Sequence, residues 1–296
     1  MTQSTSESWT IGRLLAWTGS YLGEHHSESP RLDAEVLLAQ VLGCERIKLY
    51  TRFDEIADDA VRSAFRDLVG RRAAGTPVAY LVGHKEFFSL DFEVGPNVLI
   101  PRPDSEFVVL EFLRMARPLD QVTAIDVGTG SGNLAIAPAH QHKGARFWAI
   151  DSSTAALTVA RRNAERHGVL DRIEFVEGNL FDPLPLNLRV DCIVSNPPYI
   201  PSGELPNLPI GVRHFEPKAA LDGGPTGLEV VGQIVAQAGQ HLKPGGQLIL
   251  EIGAPQESVV RKLVEDLGEF ELLPTIRDYA GHPRVVSARL PRPSPS

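Results

Sequence analysis

The chain has 296 residues, of which 43% are apolar and 22% charged, with a formal net charge of −8. That length admits one large domain plus a smaller one, and the apolar content is that of a globular protein with a real core. The acidic balance argues against a long electrostatic footprint on nucleic acid. No stretch approaches the roughly 18 uninterrupted apolar residues of a membrane span, and the opening MTQSTSESW has neither the basic nor the apolar region of a secretory signal, so a cytoplasmic protein is expected.

From Ile11 to about Ala74 apolar residues recur at three and four: Ile11, Leu14, Leu15 and Leu22, then Leu32, Val36, Leu37, Val41 and Leu42, then Ile56, Val61, Phe65, Leu68 and Val69. This predicts a small helical bundle over residues 1–76, punctuated by Gly43 and closed by Gly75-Thr76-Pro77. Residues 77–100 switch to short aromatic and β-branched runs between Gly83 and Gly95-Pro96-Asn97, which reads as a β-hairpin linker. Pro103 and Asp104 then suit the start of a helix over Ser105–Met115. Cys44 and Cys192 fall in apolar helix and strand contexts and are expected to be buried free thiols, while the nine histidines show no ligand-spaced cluster, so no metal is expected. The tail RLPRPSPS is expected to fray.

Residues 101–296 alternate strands and helices. Strands are predicted at Val122–Val127, Arg146–Ile150, Ile173–Val176, Val190–Ser195, Gln247–Ile252, Phe270–Pro274 and Arg284–Arg289, with helices at Asn133–Gln141, Thr154–His167, Gly227–Leu242 and Gln256–Leu267. The fold class is therefore α/β, a doubly wound sheet whose ligands belong at the carboxyl ends of the strands.

Those ends carry chemistry. Gly128-Thr129-Gly130-Ser131-Gly132 follows the first strand, and alternate glycines there allow positive φ and close approach of a ligand to the backbone, ahead of a helix start with unpaired N–H groups. Its spacing differs from that of the dinucleotide fingerprint. Asp151 ends the next strand, where a carboxylate accepts both hydroxyls of a ribose, or else caps the helix that starts near Thr154. Asn179 and Leu180 follow the third strand, placed for the edge and face of a base. Asn196-Pro197-Pro198-Tyr199 follows the fourth: two prolines stiffen the backbone and remove its donors. The Asn196 side-chain oxygen and the Pro197 carbonyl could then take the two hydrogens of a planar –NH2 group, with the Tyr199 ring covering it. Each feature alone also fits a turn or a cap.

Together, the glycine loop, the acid, the polar third end and Asn-Pro-Pro-Tyr resemble the seven-stranded, Rossmann-like methyltransferases that use S-adenosyl-L-methionine and release S-adenosyl-L-homocysteine. Gly83-His84-Lys85-Glu86-Phe87-Phe88, Val98 to Glu106, Glu216-Pro217-Lys218-Ala219-Ala220-Leu221-Asp222-Gly223-Gly224 and Gly281 to Val286 are similar to the release-factor glutamine methyltransferases, the HemK or PrmC family, over nearly the whole chain. The resemblance implies methylation of the Gly-Gly-Gln glutamine of class 1 peptide chain release factors. A monomer that touches neither nucleic acid nor membrane is expected. It also implies that Gly128 to Gly132, Asp151, Asn179, Leu180 and Asn196 hold the cofactor and that Asn196 to Tyr199 hold the glutamine. Three departures stand out: Asn179 replaces the usual acid and should weaken the cofactor slightly, Pro138 should kink or end its helix, and Pro225-Thr226 replaces a polar or acidic pair. A glutamine methyltransferase acting on a ribosomal protein would share these motifs. An adenine-amine methyltransferase of DNA or RNA should add a Lys- and Arg-rich recognition region, unlike a helical module whose charged stretches mix acids with bases. A non-catalytic binding module would have no use for an intact Asn-Pro-Pro-Tyr.

Overall fold

The structure, a computed structural model, describes residues 8–25 and 27–292; the first residues of MTQSTSESW and the Pro293–Ser296 end of the tail lie outside it. The chain divides into two compact units, one running up to Gly83 and including Pro209–Phe215, the other comprising His84–Leu208 and the chain from Glu216 onward.

The first unit is helical: α1 (Ile11–Glu24), α2 (Pro30–Leu42), α3 (Arg46–Thr51), α4 (Asp59–Ala73) and α5 (Val78–Val82). Local chemistry sets the boundaries. The Thr10 hydroxyl accepts from the Arg13 N–H at 3.2 Å, Asp58 accepts from Val61 at 2.8 Å, Pro30 opens α2, and Gly43 closes it in the left-handed region. Ile11, Leu22, Leu37, Leu38, Leu49 and Phe65 interlock in its core. Cys44 is only half-buried, because it sits just past the end of α2 rather than on the apolar face. The short α9 (Ile210–Phe215) also belongs here, and a Cβ on Gly75 would collide with Ile210.

The linker departs from the sequence expectation. Val78–Val82 is a turn of helix rather than a strand, because Pro77 starts it and Gly83, at φ 82°, returns its N–H to the Ala79 carbonyl at 2.8 Å. The hairpin is β1 (His84–Phe87) and β2 (Leu90–Glu93), turned by Phe88 and Ser89, both at positive φ with no glycine to ease them. Glu106 accepts the Phe88 N–H at 3.0 Å and helps hold that turn.

The rest of the second unit is a twisted sheet with helices on its faces: α6 (Glu106–Ala116), β3 (Val122–Val127), α7 (Asn133–Gln141), β4 (Ala145–Asp151), α8 (Thr154–Arg166), β5 (Ile173–Glu177), β6 (Val190–Ser195), α10 (Glu229–His241), β7 (Leu242–Glu251), α11 (Glu257–Leu267), β8 (Glu271–Leu272), β9 (Ile276–Arg277) and β10 (Pro283–Arg289). The spatial order is β5-β4-β3-β6-β7-β10-β8, parallel from β5 to β7 and antiparallel at β10. Eight strands occupy the seven expected places, because Pro274 lacks an N–H and breaks the last edge into β8 and β9, both paired with β10. Central strands such as β6, with Cys192, Ile193 and Val194 fully enclosed, are apolar on both faces because helices cover both. Pro138 is buried within α7, which does not stop at it: the helix runs on to Gln141 and His142 donates its N–H to the Pro138 carbonyl at 2.8 Å. The helix has one further turn to complete, so the missing N–H costs it a single bond. Among the described residues no helix is long and apolar enough to cross a membrane.

Candidate active site

Register brings the sequence-separated motifs together. Val127 pairs with Ile150 on one side and Ser195 on the other, and Asp151 pairs with Glu177, so the loops that leave β3, β4, β5 and β6 emerge side by side. Ser195 reinforces this by donating its hydroxyl to the Val127 carbonyl at 2.7 Å. Between these loops lies a cavity of about 310 Å³, lined by Gly128, Thr129, Gly130, Ser131, Asp151, Asn179, Leu180, Asn196, Pro197 and Pro198, with Pro101, Arg102, Ser105 and Ala220 among the rest of the wall; Gly132 does not line it. Its volume is at the lower end for a small-molecule site.

The glycine loop is pinned from several directions. The Gly128 and Thr129 N–H groups donate to the Ile150 carbonyl at 2.9 and 2.8 Å. Gly130, at φ 54°, donates its N–H to Asp151 Oδ2 at 2.8 Å, while Ser153 donates its own to Oδ1 at 2.9 Å. The cap of α8 is the Ser153 hydroxyl, which accepts from Ala156, so Asp151 is left to tie two loops together at the cavity wall. Burial raises the Asp151 carboxyl above its ordinary range, opposed by the N–H groups of Gly130, Ser153 and Ser152. Gly132, at φ 85°, has no room for a Cβ against Ile136. Beneath the loop, fully buried Asp126 accepts the Thr129 hydroxyl at 2.6 Å through one oxygen and has no protein partner for the other. Burial pushes its carboxyl up to about 7, with the neighbouring Asp151 adding to the rise and Thr129 opposing it. Leu180 sits at φ 49°, an unfavourable conformation for a branched side chain, beside exposed Asn179.

Asn196, Pro197 and Pro198 face the cavity; Tyr199 does not line it. The Tyr199 ring lies against Gly253, and burial first, then the charge of Glu251, pushes its hydroxyl up to about 12. The Asn196 Nδ2 group donates to Ser105 Oγ at 3.1 Å, and Ser105 donates to Glu251 Oε2 at 2.6 Å. A second layer supports the motif from below. Gln256 Nε2 donates to the carbonyls of Tyr199 at 2.9 Å and Gly227 at 3.2 Å, and Ile200 donates its N–H to the Leu221 carbonyl at 3.1 Å and accepts the Gly223 N–H at 2.9 Å. Pro225-Thr226 forms a tight loop in which Thr226 donates its N–H and hydroxyl to Glu229. Arg102 pairs with Glu216 at 2.5 Å, and Glu216 also accepts from the Ile100 N–H, which anchors the Pro217–Ala220 wall.

A family model described as the PrmC N-terminal domain matches residues 13–83, and one described as the methyltransferase small domain matches residues 105–207. The release factor glutamine methyltransferase of Rhodopirellula baltica is 42% identical over 288 residues, which cover 96% of this chain and 97% of that protein. The protein of that name from Geobacter sulfurreducens is 44% identical over 284 residues, covering 96% of this chain and 98% of its own length. The chain belongs to the release factor glutamine methyltransferase family. A methyltransferase from Pyrococcus furiosus shares the fold, with a TM-score of 0.51 at 20% identity, covering 77% of this chain and 99% of that one.

Some residues that shape the site of this family member carry no chemical signal of their own in sequence, although Ser105 lies within the Val98–Glu106 stretch. Ser105, Glu251 and Gln256 are ordinary residues at ordinary element ends, brought to Asn196 and Tyr199 only by folding. Asn163, in mid-helix, is fully buried: its Nδ2 donates to the carbonyls of Ser131 at 2.9 Å and Glu93 at 3.1 Å, and its Oδ1 accepts from the Glu93 N–H at 2.7 Å. An Asn in the middle of an amphipathic helix was the one available hint. Asn163→Ala leaves these backbone groups buried without partners and is expected to cost about 2–4 kcal/mol. A denaturant titration checks this, and an unchanged midpoint would show the bonds to be dispensable.

Proposed function

We propose that this protein transfers a methyl group from S-adenosyl-L-methionine to the side-chain amide nitrogen of the Gly-Gly-Gln glutamine of class 1 peptide chain release factors, in the cytoplasm and as a monomer that does not act on nucleic acid. The observation that carries the reading is the convergence, on one cavity, of the glycine loop, Asp151, Asn179 and Asn196-Pro197-Pro198. The residues present fit the cofactor. Gly128 to Ser131 offer backbone at close range beside the start of α7, Asp151 offers a carboxylate for ribose hydroxyls, and Asn179 and Leu180 offer an amide and an apolar face for a base. Bound there, S-adenosyl-L-methionine supplies an electrophilic methyl.

The chain's own task is to present a poor nucleophile well. An amide nitrogen shares its lone pair with the carbonyl, as the roughly 18–20 kcal/mol rotation barrier of a peptide bond shows. Asn196 Oδ1 and the Pro197 carbonyl accept the two amide hydrogens, hold the nitrogen in line with the methyl, and draw electron density toward it as the N–H bonds polarise. The prolines keep backbone donors out of the slot, and the proton leaves late, to water.

Purified protein incubated with S-adenosyl-L-methionine and a class 1 release factor tests this by mass spectrometry of the Gly-Gly-Gln peptide, where one added methyl is expected; an unmodified peptide would overturn it. Asp151→Ala should weaken cofactor binding by about 1.5–3 kcal/mol, tenfold to somewhat over a hundredfold, because a charge-assisted acceptor is lost and the Gly130 and Ser153 N–H groups are released. Calorimetry reads this directly. Unchanged affinity would confine Asp151 to joining the two loops.

A further inference from the structure

The acceptor role of Asn196, on which this inference rests, demands that its amide face one way. The two edges of a carboxamide have nearly the same shape, so only hydrogen bonds choose between them. Ser105 Oγ lies 3.1 Å from Asn196 Nδ2 and 2.6 Å from Glu251 Oε2, and Ser105 and Glu251 are each 1% exposed, so water does not compete. A serine hydroxyl has one proton. An ionised carboxylate can only accept, so that proton goes to Glu251, and the serine oxygen keeps only lone pairs for its other neighbour. It can meet the N–H edge of Asn196 and not the oxygen edge.

We propose that Glu251, acting through Ser105, is a positioning pair that holds the Asn196 amide with its oxygen presented to the substrate –NH2. The arrangement has a built-in condition. A protonated Glu251 can itself donate to Ser105, which frees the serine proton for Asn196 Oδ1; the amide can then turn over and set an N–H against the substrate's N–H. Burial pushes the Glu251 carboxyl up to about 7; Asp104 adds to the rise, while the Ser105 bond, Arg284 and Arg102 oppose it. Tyr199, whose hydroxyl stays protonated there, also faces it. A raised carboxyl pKa means that the ionised, productive form is lost as pH falls through about 7 and is complete above it.

The test is the pH profile of kcat at saturating release factor and saturating S-adenosyl-L-methionine, so that titration of Asp126 beneath the cofactor loop is not read as loss of binding. The unaltered protein should show kcat rising through about pH 7. Glu251→Gln, whose amide can offer Ser105 either a donor or an acceptor, should lower kcat about tenfold above neutrality and flatten the profile. Ser105→Ala should lose about tenfold or more in kcat with KM and cofactor affinity within about twofold, and Ser105→Thr, which keeps the hydroxyl, should restore most of it. A normal rate and an unchanged inflection in Glu251→Gln would overturn the pairing, and so would a Ser105→Thr variant no better than Ser105→Ala. If Ser105→Ala fails to fold, the Glu251→Gln profile decides alone. Asn196→Ala separates the two levels: normal turnover there removes the acceptor reading itself, whereas an inactive Asn196→Ala beside a normal Glu251→Gln removes only the positioning pair.

Discussion

Asn196→Ala is expected to lower methyl transfer by about a hundredfold to a thousandfold, the size of effect seen when one preorganised polar group is removed from a reacting centre. In the proposed slot, the substitution takes away one of the two acceptors for the amide hydrogens and leaves the nitrogen free to rotate out of line. The fold should survive, because the Asn196 side chain is half-buried and its bond to Ser105 is replaceable, while the end of β6 is held by the Ser195 hydroxyl on Val127. Most cofactor affinity should survive as well, since the glycine loop and Asp151 are held independently of Asn196. Single-turnover kinetics together with calorimetry would show kcat falling and cofactor affinity staying within a few-fold. Near-normal turnover would remove the acceptor slot from the mechanism.

The second large effect concerns the substrate. The proposed slot of acceptors in the cavity must be reached from a protein backbone, and glutamine has one more methylene than asparagine. The two glycines before it let the loop take up backbone conformations closed to other residues, so that it enters without a Cβ collision. Shortening that glutamine to asparagine withdraws the nitrogen by about one bond, and a misplacement near 1 Å can cost on the order of a hundredfold in rate. Mass spectrometry should therefore find a single methyl on the glutamine, almost none on the asparagine variant, and no transfer to duplex DNA or RNA. Robust methylation of nucleic acid with the release factor untouched would reverse the assignment.

What could be read in advance follows from the range of the forces involved. Helical periodicity from Ile11 to Val69, the apolar strands and the alternation after Val122 are local patterns, and they placed the bundle and the sheet within a few residues. The glycine loop, Asp151 and Asn-Pro-Pro were legible because each needs a residue type that the backbone or the chemistry demands at one spot. The turn at Phe88-Ser89 was not, since its positive φ values are imposed on residues that do not prefer them, with Glu106 helping from outside the hairpin. Nor was the helical turn at Val78–Val82, where three β-prone residues, Val78, Tyr80 and Val82, are overruled by Pro77 and Gly83 at its ends.

By itself, then, the amino-acid sequence determined most of the elements, the class of the sheet, the motif at each strand end and the family resemblance, because all of these are written in neighbours along the chain. Only the tertiary structure decided which groups set the direction of Asn196, tied the glycine loop to the hairpin through Asn163, and turned Tyr199 away from the cavity wall. The reason is physical. Ser105 and Glu251 lie 146 positions apart, and a hydrogen bond between them has no periodicity or spacing to announce it until the sheet has closed and water has been driven out.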